Sequence, residues 1–171
     1  SQALIVIEEV HSDVLGGRIN VPLIRFDTRQ AINAFGIEIE GLKIDEMVAL
    51  EPDSGIKATG RLDGVLPVLL LPEGPQIPAG SLYARAPGGI VQYRSQTADS
   101  LKKSDPNVSL AMQVLDDFPS HKLQTDITYQ PNGELNLELQ FQGNNPTFFD
   151  GQATHFNLNL EYNLLDFLES L

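Results

Sequence analysis

A chain of 171 residues, 42% hydrophobic and 20% charged, has the length of one ordinary domain and enough apolar matter to fold, which excludes a disordered polar tract. Eleven Lys and Arg against twenty-three Asp and Glu give a formal charge of −12, the wrong sign for a nucleic-acid footprint or for docking on anionic lipid through basic patches. The absence of cysteine removes disulfide frameworks and thiolate metal sites and fits an oxidising compartment. One domain is expected over 1–171. No run of about 20 apolar residues is present to cross a membrane, and a chain that starts at Ser1 is expected to be a piece of a larger protein.

In chain order, the first half reads as β-rich but irregular. Strands are expected at Ala3 to Val10, Arg18 to Phe26, Ile37 to Leu42, Ile56 to Leu62, Val65 to Leu70, Ser81 to Ala86 and Gly89 to Tyr93. Pro22 and Pro67 fall inside two of these runs, where a missing N–H calls for an edge, a bulge or a strand end. A short helix is expected over Ile44 to Leu50, before Pro52. A second is expected after Asn107, where Val108, Ala111, Met112, Leu115 and Phe118 recur at helical spacing and Pro119 ends the run.

The last third alternates with period two. Leu123, Thr125, Ile127 and Tyr129 oppose Lys122, Gln124, Asp126, Thr128 and Gln130. Leu135, Leu137, Leu139 and Phe141 oppose Glu134, Asn136, Glu138, Gln140 and Gln142. Phe156, Leu158, Leu160 and Tyr162 oppose Asn157, Asn159, Glu161 and Asn163. Each strand has one dry face and one wet face. Pro131-Asn132-Gly133 suits a tight antiparallel hairpin between the first two, whereas Gly143 to Thr154 reads as a loop. Leu164, Leu165, Leu168 and Leu171 share one helical face after Asn163, so a last short helix is expected to cap an end of the sheet. The fold expected is mainly β: a long, antiparallel, curved, groove-like sheet with a few short capping helices.

No convergence of catalytic residue types emerges. His11, His121 and His155 lie far apart, without partners at metal-ligand spacing. No Gly-x-Ser-x-Gly elbow frames a serine. Gly60-Arg61-Leu62-Asp63-Gly64 and Ala86-Pro87-Gly88-Gly89 lack the strand-to-helix setting of a phosphate loop and read as turns and bulges. No catalytic residue, metal or cofactor is expected. The dry face itself remains: on pattern alone a core packed under another layer is the favoured arrangement, but one curved sheet whose concave face is open to a ligand gives the same alternation, and periodicity does not separate the two.

Gly60-Arg61-Leu62-Asp63-Gly64-Val65-Leu66-Pro67, Ala79 through Tyr93 with its Ala86-Pro87-Gly88-Gly89 turn, and the tail from Asp150-Gly151-Gln152 through Phe156 to Leu165 together resemble the carboxy-terminal region of the YdbH branch of AsmA-like proteins. The resemblance runs from about Gly36 to Leu171 and rests on extended similarity, because the motifs are structural. It implies a periplasmic β-groove in a Gram-negative protein anchored in the inner membrane by its missing amino-terminal part and carrying phospholipid toward the outer membrane. The residues it would place against acyl chains are Leu123, Ile127, Leu135, Leu137, Leu139, Phe141, Phe156, Leu158 and Leu160. A small outer-membrane lipoprotein of the YnbE type is the implied partner, adding a strand along Phe156, Asn157, Leu158, Asn159, Leu160, Glu161 and Tyr162. Two competing readings are an assembly module for outer-membrane proteins, in which the dry face is only a core, and an enzyme on a β-scaffold acting on envelope glycans.

Overall fold

The computed structural model describes residues 3–50, 52, 55–93, 118–144 and 152–170. Ten strands and two short helices make up this part: β1 (Leu4–Val14), β2 (Gly17–Asp27), β3 (Asn33–Lys43), α1 (Ile44–Val48), β4 (Ile56–Ala58), β5 (Arg61–Leu71), β6 (Gly74–Ala84), β7 (Gly89–Tyr93), β8 (Phe118–Tyr129), β9 (Glu134–Asn144), β10 (Ala153–Asn163) and α2 (Leu164–Ser170). The helix expected after Asn107 lies outside the described residues, except that Phe118 and Pro119 open β8.

Eight strands form one open antiparallel sheet in the order β1-β2-β3-β5-β6-β8-β9-β10. Each has 11 or 12 residues, so the sheet stands about 36 Å from rim to rim at roughly 3.3 Å per residue. At one end, β7 continues from Ser120 and Phe118 of β8, and β4 adds to β7. Together with α1 they make a small lobe at the rim where the Leu15–Gly16 turn joins β1 to β2. The other rim carries the turn at Gln130–Gly133 and α2.

Curvature comes from interruptions in the ladders. Register shifts occur between β2 and β3, β3 and β5, β5 and β6, β6 and β8, and β8 and β9, whereas β9 and β10 pair through eleven consecutive residues without a break. A bulge bends its strand and adds twist, so the bending is concentrated in the middle of the sheet. Three of the strand prolines sit where a ladder is already broken. Pro22 lies in the β2–β3 irregularity, Pro67 in that of β5–β6, and Pro78 in those of β5–β6 and β6–β8, where a missing N–H costs no regular ladder bond.

Three sequence expectations change. Ile56 to Leu62 is not one strand: Ile56–Ala58 pairs with β7, and a new strand begins at Arg61. Arg61 to Gly64 is therefore strand and not turn, paired with Leu82–Ala84 on one side and with Ile39, Leu42 and Lys43 on the other. The strand expected at Ser81 to Ala86 ends at Ala84 and is only the last part of β6, which starts at Gly74 after a tight turn from Leu71. The Pro131-Asn132-Gly133 hairpin forms as expected, with the Gly133 N–H donating to the Gln130 carbonyl at 3.0 Å and the Gln130 N–H to the Glu134 carbonyl at 2.9 Å.

Candidate functional site

Because side chains alternate across a strand, antiparallel partners share a face. One cross-strand row runs Ile19, Ile39, Gly64, Leu82, Thr125, Leu139 and Leu158, crossing seven strands through directly registered pairs. A parallel row places Gly80, Ile127, Leu137 and Leu160 side by side. These rows form the floor of the inner face. Apart from the two glycines and Thr125, every position in them is a branched aliphatic residue.

The inner face is deepest near the lobe. Ile39, Leu42, Leu62, Leu82, Leu123, Ile127 and Phe141 form a buried cluster, flanked by Leu15, Ile44, Met47 and Val91 from the first turn, α1 and β7. Away from the lobe, Ile37, Leu66, Leu135, Leu137 and Leu139 pack against this cluster and keep part of their surface exposed. The residues expected to touch lipid therefore divide. Leu123, Ile127 and Phe141 are 8%, 7% and 8% exposed and serve as foundation. Leu135, Leu137, Leu139 and Leu160 remain half-buried and accessible. Phe156 and Leu158 lie in β10 opposite Phe141 and Leu139, with side chains outside the described residues.

The wet face is as polar as the sequence demands. Lys122, Gln124, Asp126, Glu134, Glu138 and Gln140 are exposed. At the Gly16 rim this outer face carries an ordered charge network that periodicity did not reveal. Arg85 grips Asp63 with two bonds, Nε to Oδ2 at 2.8 Å and Nη2 to Oδ1 at 2.5 Å. The Arg85 hydrogen bonds hold the Asp63 carboxyl below its ordinary range against some desolvation, and the Gly41 N–H, donating at 2.7 Å, adds to the effect. Arg61 Nη1 donates to the carbonyls of Gly16 at 3.0 Å and Gly41 at 2.9 Å, tying the first turn to the β3 irregularity. The flanking glycines of Gly60-Arg61-Leu62-Asp63-Gly64 disguised this network as a turn. The signal was the alternation of Arg61 and Asp63 with Leu62.

At the opposite rim, Asn163 accepts the N–H groups of Leu165 and Asp166 at 3.1 and 3.2 Å, capping α2, and Leu164 donates to the Gly133 carbonyl at 2.8 Å. α2 is thereby pinned over the β8–β9 turn. The edges of the sheet are β1 and β10. Leu4, Ile5, Val6, Ile7 and Val10 are all exposed along β1. β10, which holds the expected docking segment Phe156 to Tyr162, is hydrogen-bonded to β9 and is the last strand in the order.

Among the described residues no group of His, Asp and Glu is arranged to hold a metal ion, and no helix is long and apolar enough to cross a membrane. A family model described as "YdbH-like: Intermembrane phospholipid transport protein YdbH" matches residues 1–171, the whole chain. The chain belongs to the YdbH-like family. No curated protein and no solved structure matches it. YdbH-like membership carries the coarse assignment, a role in intermembrane phospholipid transport, and with it a location in the space between two membranes of the cell envelope.

Proposed function

We propose that the inner face of this YdbH-like sheet is a trough that shields phospholipid acyl chains on their way between the inner and outer membranes of a Gram-negative envelope, without catalysis. The observation that carries this reading is the aliphatic row from Ile19 to Leu158, which continues across strands instead of converging on a pocket. Exposing an acyl chain to water is unfavourable by about 0.8 kcal/mol per CH₂. An aliphatic surface that runs on from strand to strand lowers that cost along its length and leaves no deep minimum to trap the lipid. Leu135, Leu137, Leu139 and Leu160 are the accessible part of this surface, supported from below by Leu123, Ile127 and Phe141; Phe156 and Leu158 complete it on β10.

In this reading the rest of the protein supplies an inner-membrane anchor, and β10 receives a strand from a small outer-membrane lipoprotein of the YnbE type, which prolongs the trough. The test is a photo-reactive residue placed at Leu137 or at Glu138, one position apart and on opposite faces. Phospholipid adducts are expected at Leu137 and not at Glu138. Equal labelling of both would overturn the trough assignment.

A further inference from the structure

The inner face has two unlike ends. At the Gly16 rim it runs under the lobe, where Leu15, Ile44, Met47 and Val91 pack on the buried cluster and close that end with apolar side chains. At the Gly133 rim the same face ends in side chains with polar tips. Asn33 shares a face of β3 with Phe35, Ile37 and Ile39, and a cross-strand row of Ile77, Tyr129, Leu135 and Tyr162 brings two phenols to this end. Asn33 is committed within the fold, its side chain accepting the Asp27 N–H at 2.7 Å. Tyr129 is not. It is 9% exposed, its hydroxyl makes no hydrogen bond among the described residues, and none of their buried side-chain oxygens or nitrogens lacks a partner. The buried ring therefore carries a hydroxyl that reaches the surface. Tyr162, in the same row, is 42% exposed.

Between the two ends, β8 and β9 present the registered pairs Leu123–Phe141, Thr125–Leu139, Ile127–Leu137 and Tyr129–Leu135. From Leu123 to Tyr129 this floor is about 20 Å long at roughly 3.3 Å per residue. Half of the roughly 30 Å hydrocarbon core of a bilayer is about 15 Å, so an acyl chain laid along the strands fits between the rims. Access changes in one direction along it: Leu135, Leu137 and Leu139 are half-buried, whereas Phe141, next to the lobe, is buried. A phenol keeps its ring dry and its hydroxyl wet, which suits the boundary between hydrocarbon and headgroup. An ester or phosphate pushed under the lobe would instead lose its water among apolar side chains.

We infer that phospholipids lie across the trough in one orientation, with acyl chains along β8 and β9, methyl ends toward the lobe, and glycerol esters at the Gly133 rim, where the Tyr129 hydroxyl donates to an ester carbonyl. The inference rests on the trough reading and adds to it the rim that the headgroups follow.

The experiment adds to the whole 171-residue chain a single-chain phosphatidylcholine below its micelle concentration, carrying a nitroxide near either the ester end or the methyl end of its acyl chain. The readout is paramagnetic broadening of the Met47 and Leu135 methyl resonances. As lipid is titrated in, the methyl-end label is expected to extinguish Met47 before Leu135, and the ester-end label Leu135 before Met47. Tyr129→Phe keeps the ring, removes a hydroxyl that has no partner in the fold, and is expected to weaken the unlabelled lipid by about fivefold, the worth of one ordinary hydrogen bond. The opposite order with both labels would put the headgroups at the Gly16 rim, overturning the orientation and leaving the trough intact. Simultaneous loss of both resonances with either label would show a lipid without fixed direction and overturn the orientation equally. Broadening of neither resonance would overturn the trough reading, and the orientation with it. Unchanged affinity in Tyr129→Phe would overturn the ester contact assigned to Tyr129.

Discussion

Leu82 folds over Gly64: its Cδ2 lies 2.5 Å from where a Cβ on Gly64 would stand, and the Ser81 carbonyl is closer still. The two residues are registered partners in the middle of the floor, so Leu82 fills the space that a side chain on Gly64 would need. The same device recurs at Gly80, where Leu66 Cδ2 is 2.6 Å from the site of an added Cβ.

Gly64→Val is accordingly expected to destabilise the fold by about 3 kcal/mol, the upper part of the range for overpacking a tight site. Gly36→Val serves as the comparison, since an added Cβ there meets nothing within 4 Å, and it should change the urea midpoint far less. Equal shifts of the two midpoints would mean that the close approach of Leu82 does not restrict position 64.

Acid should loosen the fold in a defined window. The Arg29 hydrogen bonds, from side chain and backbone, lower the Asp27 carboxyl from 3.8 to about 2, and Asp63 is lowered by Arg85. A carboxylate whose folded value is depressed contributes stability above its unfolded value, and that stability is lost as pH falls through the folded value. The melting temperature should therefore drop between about pH 4 and pH 2. The double variant Asp27→Asn with Asp63→Asn should be less stable at neutral pH and show a shallower fall across the same window. An unchanged slope in the double variant would assign acid sensitivity to other groups.

How much of this could be read from sequence depended on who supplies the order. In β8, β9 and β10 the side chains themselves alternate, so strands, faces and the Gly133 hairpin were legible, and Leu123, Ile127, Leu135, Leu137, Leu139 and Phe141 appear on the inner face. β6 was different. Gly74, Pro75, Pro78 and Gly80 leave it without its own pattern, and it is a strand because β5 and β8 hydrogen-bond to it on both sides and because Pro78 falls in a bulge. Likewise Gly64 looked like the end of a turn, when its missing side chain is what lets Leu82 occupy the floor. The rim network of Asp63, Arg85, Arg61 and Gly41 joins residues 20 or 22 positions apart, and such pairings are set by register, which one sequence does not display.

α2 offers a local test. The Asn163 side chain accepts two N–H groups at its start and its Nδ2 reaches the Asn132 carbonyl at 3.4 Å. Asn163→Ala should cost about 1 kcal/mol, the usual loss for an N-cap, whereas Asn163→Asp should retain most of the capping. Amide exchange at Leu165 and Asp166 reads the effect directly. Unaltered protection in the alanine variant would show that packing, not the cap, holds the helix.

The final prediction concerns which edge of the sheet accepts a partner strand. Both β1 and β10 end the order, and both are eleven residues long. They are defended differently. β1 carries Glu8, Glu9 and Asp13, and Glu9 has a positive φ of 55°, a kink and a set of charges of the kind that discourage edge pairing. Phe156 to Tyr162 in β10 carries one charge, Glu161, and no proline, and its unbroken register with β9 leaves a straight template for one more strand. A β-strand added there continues the inner face in register, because each new strand repeats the alternation of the one before it. Proline at Leu158 or Asn159 should therefore abolish binding of the YnbE-type lipoprotein to the full-length parent, while proline at Ile5 or Val6 leaves it within about twofold of the unmodified protein, the scatter of substitutions remote from a contact. Circular dichroism checks that each variant keeps its sheet. Loss of binding only from the Ile5 or Val6 changes, in folded protein, would move the contact to β1 and reverse the polarity of the trough.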